Sequence, residues 1–490
     1  MPRTIISVCL SAVLLVLAFP QVQWSVLAWV GFVPWLLVLE SKRARAAFGW
    51  SFLAGFLFFA GTLGWFVYVT SVGAVVLIAY LALYFAFFGL AYHFFKGLPV
   101  VLRIMVLSSV WTVLEFLRAH LISGFSWASL AHSQYNNIFL IQIADITGFY
   151  GVSFLIVAVN LLLVFGIQRV KGIRQAQVMV IALILVALGY GYGRMGTFPT
   201  STRQVSVGIV QPNIHQDMKW DPSLQPWIVQ KTINLSERLS KEKLDLIVWP
   251  ESSLPGVVNQ VPALMDVIAQ SAVQMKTPVL MGAITDENQQ YFNSAYLISS
   301  SGEMQSRYDK IHLVPFGEYI PIRSVLGWLG NIVGLEDFTA GREHTLMRVG
   351  RDKVLFGVLI CFEDTLGYLR RDFTNAGAEF FVNMTNDAWF KDTKAPFLHL
   401  AAAVFGSVEN KRALVRSANT GVSVFIDPFG RVVGYVEDAA HKRTFISATA
   451  FNSVPAVTTK TFYTKYADVF TCGCFMVILV GLLKRREYAK

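Results

Sequence analysis

Three residues in the second half of the chain combine into one chemistry. Cys361 closes an apolar run over 354–360 that reads as a buried β-strand, and Glu363 follows two residues later. The C-terminal end of a buried strand is where α/β architectures present reactive groups. Cys361 is also the only cysteine of the polar half of the chain. Alone it would read as an inert core cysteine, since free cysteines are often buried. A second apolar strand, Leu246-Ile247-Val248-Trp249-Pro250, ends at Glu251. A third segment, 308–318, carries Lys310 near its head and Glu318 at its tail. A thiol attacks a carbonyl only as thiolate and needs a base or a positive charge beside it. Glu251 can take the proton. Lys310 can stabilise the thiolate and then a tetrahedral oxyanion, with the backbone N–H of Phe362 as second donor. In an extended segment His312 would share a face with Lys310, so a histidine-based arrangement stays open. Separately each piece is bland: a Trp-Pro-Glu strand end is often a turn, and an Asp-Lys pair is usually a surface ion pair worth under about 1 kcal/mol.

The elements that must position these groups alternate between strand and helix. Buried strands are predicted at 205–210, 244–248, 279–283, 295–299, 354–360 and 380–383, and helices at 222–239, 262–275, 366–376 and 396–414. Three of the helices open on proline, with Asp221 as a cap for the first. A hairpin is predicted with strands 421–426 and 431–435 about Asp427-Pro428-Phe429-Gly430. A layered α/β class follows.

The first half is different. The chain of 490 residues is 54% hydrophobic and only 15% charged, whereas a soluble protein is about one-quarter charged. Runs long enough to span a bilayer fall at 5–19, 24–40, 46–69, 73–95, 99–117, 151–167 and 178–192, with an eighth at 467–483. The net charge of +10 sits largely beside these runs, which points to membrane orientation rather than nucleic acid. Alternate breaks hold Lys42, Arg43 and Arg45, then Lys96 and Arg103, then Arg169, Lys171 and Arg174, and the last run ends in Lys484-Arg485-Arg486. The positive-inside rule makes those breaks cytoplasmic. Seven spans over 1–196 then deliver a domain over 197–465 to the outer side, and 466–490 returns the chain. The long break at 121–150 reads either as a solvated loop or as one closing over the site. Four cysteines exclude a disulfide scaffold; Cys9, Cys472 and Cys474 read as packing residues.

In this order the three segments resemble the nitrilase superfamily, whose Glu–Lys–Cys triad sits in an αββα sandwich. The resemblance implies Glu251 as base, Lys310 as oxyanion stabiliser, Cys361 as nucleophile and Glu318 as the glutamate supporting the lysine, with Glu363 beside the site. With seven spans before it and one after, the chain resembles the apolipoprotein N-acyltransferase family. Val210-Gln211-Pro212-Asn213, Lys219-Trp220, Tyr291-Phe292-Asn293-Ser294, Pro315-Phe316-Gly317-Glu318 and Asn386-Asp387-Ala388-Trp389-Phe390 carry the same likeness. The family often has tyrosine after the nucleophile; here it is Phe362. The resemblance implies a bacterial inner-membrane enzyme with a periplasmic domain, a phospholipid acyl donor, a diacylated apolipoprotein acceptor, a thioester on Cys361, and neither metal nor diffusible cofactor. Trp220, Asn293, Trp328, Trp389 and Arg416 are expected to meet substrate, with plain packing the alternative for Trp220 and Trp389. The apolar, glycine-punctuated stretch 319–335, with Trp328, is expected to be a lid dipping into lipid or an extra core helix. Two rivals remain: a membrane-tethered carbon–nitrogen hydrolase, and a non-catalytic module that binds lipoprotein or lipid.

Overall fold

A computed structural model describes residues 1–20, 22–197, 203–320 and 337–488. The chain divides into two compact units. The first comprises Met1–Phe198, Thr393–Glu409 and Thr461–Lys490, the second Pro199–Asp392 and Asn410–Lys460.

In the first unit, five helices are long and apolar enough to cross a membrane among the described residues: Ala44–Tyr68, Ser71–Phe94, Val100–His120, Tyr150–Ile167 and Ile173–Thr197. The other three expected spans are shorter in apolar length. Pro2–Ala18 has 17 residues. The expected run at 24–40 is broken into a 3-10 turn, Ser25–Trp29, and a short helix, Val33–Leu39, because Pro34 supplies no backbone N–H to continue the first turn. Val469–Tyr488 is helical, but its apolar part stops where Lys484-Arg485-Arg486 begins. Helices Ala44–Leu63 and Ser71–Phe94 approach closely: a Cβ on Gly89 would lie 2.0 Å from Ser51 Oγ, so the contact requires glycine. The basic breaks gather at one end of this unit. Glu40 accepts from Tyr92 Oη at 2.8 Å and from Arg103 at 3.2 Å, and its carbonyl accepts from Lys96 Nζ. Arg485 donates to Phe94 O at 2.8 Å. At Gly172, between Lys171 and Arg174, a Cβ would lie 3.2 Å from Val100.

The break at 121–150 is not a solvated loop. Trp127, His132 and Gln134 are buried, and the segment folds as short turns over Leu130–Gln134, Ile138–Ile141 and Ala144–Thr147. Helix Ala395–Asn410 lies almost wholly in this unit, with His399 5.0 Å from Trp127 and Phe405 5.6 Å from His132 between ring centroids.

The second unit is built on two six-stranded sheets. The first orders β12-β1-β2-β3-β4-β5: β1 is Gln204–Gln211, β2 Leu246–Val248, β3 Val279–Glu287, β4 Gln290–Ile298, β5 Met304–Asp309 and β12 Ala448–Pro455. The second orders β11-β10-β9-β8-β7-β6, with β6 Leu346–Val349, β7 Val354–Ile360, β8 Phe380–Thr385, β9 Ala413–Ala418, β10 Val424–Ile426 and β11 Val432–Tyr435. β1–β2–β3 and β7–β8–β9 are parallel. Parallel strands are covered on both faces and read as unbroken apolar runs, which is why β2, β7 and β8 are visible in the sequence. Asn288 and Gln289, both at positive φ, turn β3 into β4, the backbone of a two-residue hairpin loop. The sheets stack face to face, joined where Ser417 Oγ lies 3.3 Å from both Val210 O and Val248 O. Helices Gln225–Glu237 and Pro262–Met275 bury Val229, Ile233, Ile268 and Ala272 with Ile247, Trp249 and Met281 of the first sheet. Asp221 caps a 3-10 turn, Pro222–Leu224, by accepting from Ser223 N at 2.9 Å, and the α-helix starts after it. The helix expected at 396–414 ends at Asn410, and the chain enters β9.

Candidate active site

The strand ends deliver the predicted triad to one place. Cys361 follows β7 directly and turns the chain into a 3-10 segment, Cys361–Thr365. Its φ is +55°, a left-handed conformation that costs a non-glycine residue roughly 1–3 kcal/mol. Bonds on both sides hold that strain. Asn383 Nδ2 donates to Cys361 O at 3.1 Å, Thr365 Oγ1 donates to Phe362 O at 2.8 Å, and Ile360 N donates to Glu363 Oε2 at 2.8 Å.

Glu251 lies three residues beyond β2 and is 8% exposed. Oε1 accepts from Asn293 Nδ2 at 2.8 Å, and Oε2 accepts from the backbone N–H of Asn386, just past β8, at 2.8 Å. Lys310 follows β5 and is 1% exposed. Its Nζ sits 2.9 Å from Glu318 Oε1 and 2.7 Å from Oε2. Glu318 also accepts from Val314 N at 2.8 Å and from Asn293 Nδ2 at 3.0 Å. Asn293 therefore bridges two carboxylates, which fixes its amide orientation because both neighbours can only accept.

Electrostatics separate the three roles. Burial alone would lower the proton affinity of Lys310, but the charges of Glu318, Cys361 and Glu251 outweigh it and hold the ammonium above the usual lysine range. Burial pushes the Cys361 thiol up, Glu251 and Asp387 push the same way, and Lys310 and a hydrogen bond with Thr385 only partly oppose them. Cys361 therefore rests as a thiol, with the Lys310 ammonium in electrostatic reach of it.

Glu363 is fully buried. It accepts from Tyr308 Oη at 2.9 and 3.0 Å, Ile311 N at 2.8 Å, His312 N at 3.0 Å and Ile360 N at 2.8 Å. One carboxylate thus ties the backbone just after Lys310 to the backbone just before Cys361. Burial raises this carboxyl to about 7, against the donors around it. His312 lies in a turn beyond β5, with Nδ1 2.9 Å from Tyr368 Oη and its ring 6.2 Å from Phe362.

Two residues expected to meet substrate have other work. Asn293 holds the carboxylates, as above. Arg416 is fully buried, with Nη1 2.9 Å from Asp364 and 2.7 Å from Asn383 Oδ1, and Nη2 3.2 Å from Asp387. It braces the turn from behind, since Asn383 holds Cys361 O and Asp364 lies in the 3-10 segment. Trp220 and Trp389 are 43% and 51% exposed, and Phe316 is 48% exposed. Trp389 and Phe316 stand close in the chain to Asn386 and Glu318, which bond Glu251 and Lys310. Trp328, and 321–335 of the expected lid, lie outside the described residues. The sequence reading gave no role to Tyr308, Asn383 or Thr385. Asn383 and Thr385 had one legible signal, polar residues crowding the end of a buried strand.

Comparison with known proteins agrees with this division. The family model of the apolipoprotein N-acyltransferase N-terminal domain matches residues 11–162, and that of carbon–nitrogen hydrolase matches 206–453. The apolipoprotein N-acyltransferase of Geobacter metallireducens is 37% identical over 99% of this chain and 96% of its own. That of Brucella melitensis is 33% identical over 81% of this chain and 78% of its own, and that of Pasteurella multocida 29% over 98% and 95%. The chain belongs to the apolipoprotein N-acyltransferase family, an N-acyltransferase built on a carbon–nitrogen hydrolase domain.

Proposed function

We propose that the protein moves an acyl chain from the sn-1 position of a phospholipid to the α-amine of the diacylglyceryl-cysteine of an apolipoprotein, through a thioester on Cys361. Glu251 takes the thiol proton as sulfur attacks the ester carbonyl and returns it to the departing lysophospholipid oxygen. The amine then attacks the thioester, Glu251 accepts its proton, and the sulfur leaves and is reprotonated. Lys310 stabilises the oxyanion of both tetrahedral intermediates, with the Phe362 N–H as second donor; Glu318 and Glu363 hold Lys310 and the nucleophile turn. The observation that carries this reading is the buried network that joins Glu251 and Lys310 through Asn293 and Glu318, with Cys361 in electrostatic reach of both, on a chain whose other unit carries five bilayer-length helices.

Eight spans, with 197–465 periplasmic and 466–490 returning to a cytoplasmic tail in a bacterial inner membrane, are supported by the basic breaks collecting at one end of the first unit. The exposed Trp220, Phe316 and Trp389 suit contact with lipid. The test uses purified protein, phosphatidylethanolamine labelled at sn-1, and a diacylated lipopeptide. Label should reach the peptide amine, and removing the peptide should leave it on the protein. Release of free fatty acid at the same rate without the peptide would favour hydrolysis, and label that never leaves lipid would favour a binding module.

A further inference from the structure

Lys219 is a buried cation that the triad does not use. It ends the short helix Gln216–Lys219, is 2% exposed, and donates from Nζ to the backbone carbonyl of Glu251 at 2.9 Å. The same helix grips the other side of that glutamate. Gln216 Oε1 accepts from Asn386 Nδ2 at 2.9 Å, and the Asn386 N–H is the donor on Glu251 Oε2. A carbonyl needs only a neutral donor, whereas burying an ammonium costs several kcal/mol unless an opposite charge offsets it. The charge that interacts with Lys219 is Glu251. Burial, only partly offset by Glu251, lowers this lysine to about 8, so it is charged below that pH.

We propose that Lys219 is a positioning residue for the proton transfers: it fixes the main chain of Glu251 and sets a positive charge beside the carboxylate that is to accept the proton. The proposal rests on the reading of Glu251 as base. In the first step the S–H proton passes to Glu251 as the C–S bond forms, and then to the alkoxide as the C–O bond breaks. In the second, an amine proton passes to Glu251 as the C–N bond forms, and then to sulfur as the C–S bond breaks. Both steps start from the carboxylate. The charged and titratable groups facing it are Lys219, Lys310 with Glu318 behind it, and Cys361, on which Asp387 also acts; Asn293 and Asn386 are neutral. Removing one of the two cations strengthens the carboxyl's hold on a proton, so the acid limb of the rate profile moves to higher pH.

The experiment measures the rate of acyl transfer from dipalmitoyl phosphatidylethanolamine in detergent micelles onto the full-length protein between pH 5 and 9. Lys219→Gln keeps a donor for the carbonyl and drops the charge; Lys219→Arg keeps the charge. The Gln variant should show its acid limb about one pH unit higher, while the Arg variant keeps the wild-type position whatever its plateau rate. A Gln variant with the wild-type limb overturns the proposal, as does an Arg variant displaced as far as Gln. Should Lys219→Gln not fold, Lys219→Met reads the same limb. Glu251→Gln is run alongside: full acylation by that variant would overturn the reading of the base itself, whereas its loss with an unmoved Gln limb would overturn the role of Lys219 alone.

Discussion

The floor of the site and the residues around it invert the usual distribution of polar and apolar groups. Glu251, Lys310, Glu363 and Arg416 are charged or ionisable and buried, whereas Trp220, Phe316 and Trp389 are large, aromatic and exposed. Buried charge is tolerated only when paired and hydrogen-bonded. Here the bonds meet that condition: Glu363 has four donating groups, Glu251 has Asn293 and Asn386, and Arg416 has two aspartates and an asparagine. The aromatics stay half exposed among the described residues and suit an apolar partner. On the proposed reading, the buried charges serve chemistry on a carbonyl and the exposed aromatics meet the kind of molecule that brings one.

Breaking the floor should have the largest effects. Cys361→Ala should abolish acyl-enzyme formation, measured with radiolabelled phospholipid. Lys310→Met should slow it by about 10²- to 10³-fold, the range for loss of an oxyanion donor, with Cys361 still alkylated by a small electrophile. Replacing Trp220, Phe316 and Trp389 together with serine sharpens the contrast: acylation by long-chain phospholipid should fall about tenfold, while acylation by a short, water-soluble thioester stays within about twofold. Equal loss on both substrates would place these aromatics on the floor.

Glu363 gives the smallest effect and a pH dependence. Its carboxyl is raised from 4.5 to about 7 in the fold, so the folded protein holds that proton more tightly than the unfolded chain. Ionisation between roughly pH 4.5 and 7 therefore costs stability, and the penalty is complete above the folded value. Tyr308→Phe removes one donor to the ionised form, worth about 1–2 kcal/mol. The variant should lose stability relative to wild type more at pH 8 than at pH 5, read by thermal unfolding. Equal loss at both would mean that Glu363 keeps one protonation state across that range.

Glu251 and Cys361 were legible in sequence because each stands at the end of an apolar run, and parallel strands buried on both faces leave long runs; Lys310 follows a polar strand and was legible only through its place beside Glu318 in one segment. Less legible were β5, β6 and β12, which lie at or near sheet edges and alternate with polar residues, so their runs are broken. The first two residues of β9 fell within the helix expected at 396–414, because Ala401-Ala402-Ala403 extend helical spacing toward Ala413-Leu414, and the rest of the strand was not read. Supports of the site were hidden for another reason: their partners are distant in the chain. Asn386 meets Glu251 across 135 residues and Tyr308 meets Glu363 across 55. Arg416 was misjudged because an arginine inside a strand gives no sign of the aspartates that neutralise it.

The most direct test is mass spectrometry of protein incubated with phosphatidylethanolamine and no acceptor, followed by peptide mapping. One fatty acyl group on Cys361, released by hydroxylamine and lost on adding a diacylated lipopeptide, is the expected result. Acyl transfer to the lipopeptide by a Cys361→Ala protein, or an acyl group carried on another side chain, would contradict it.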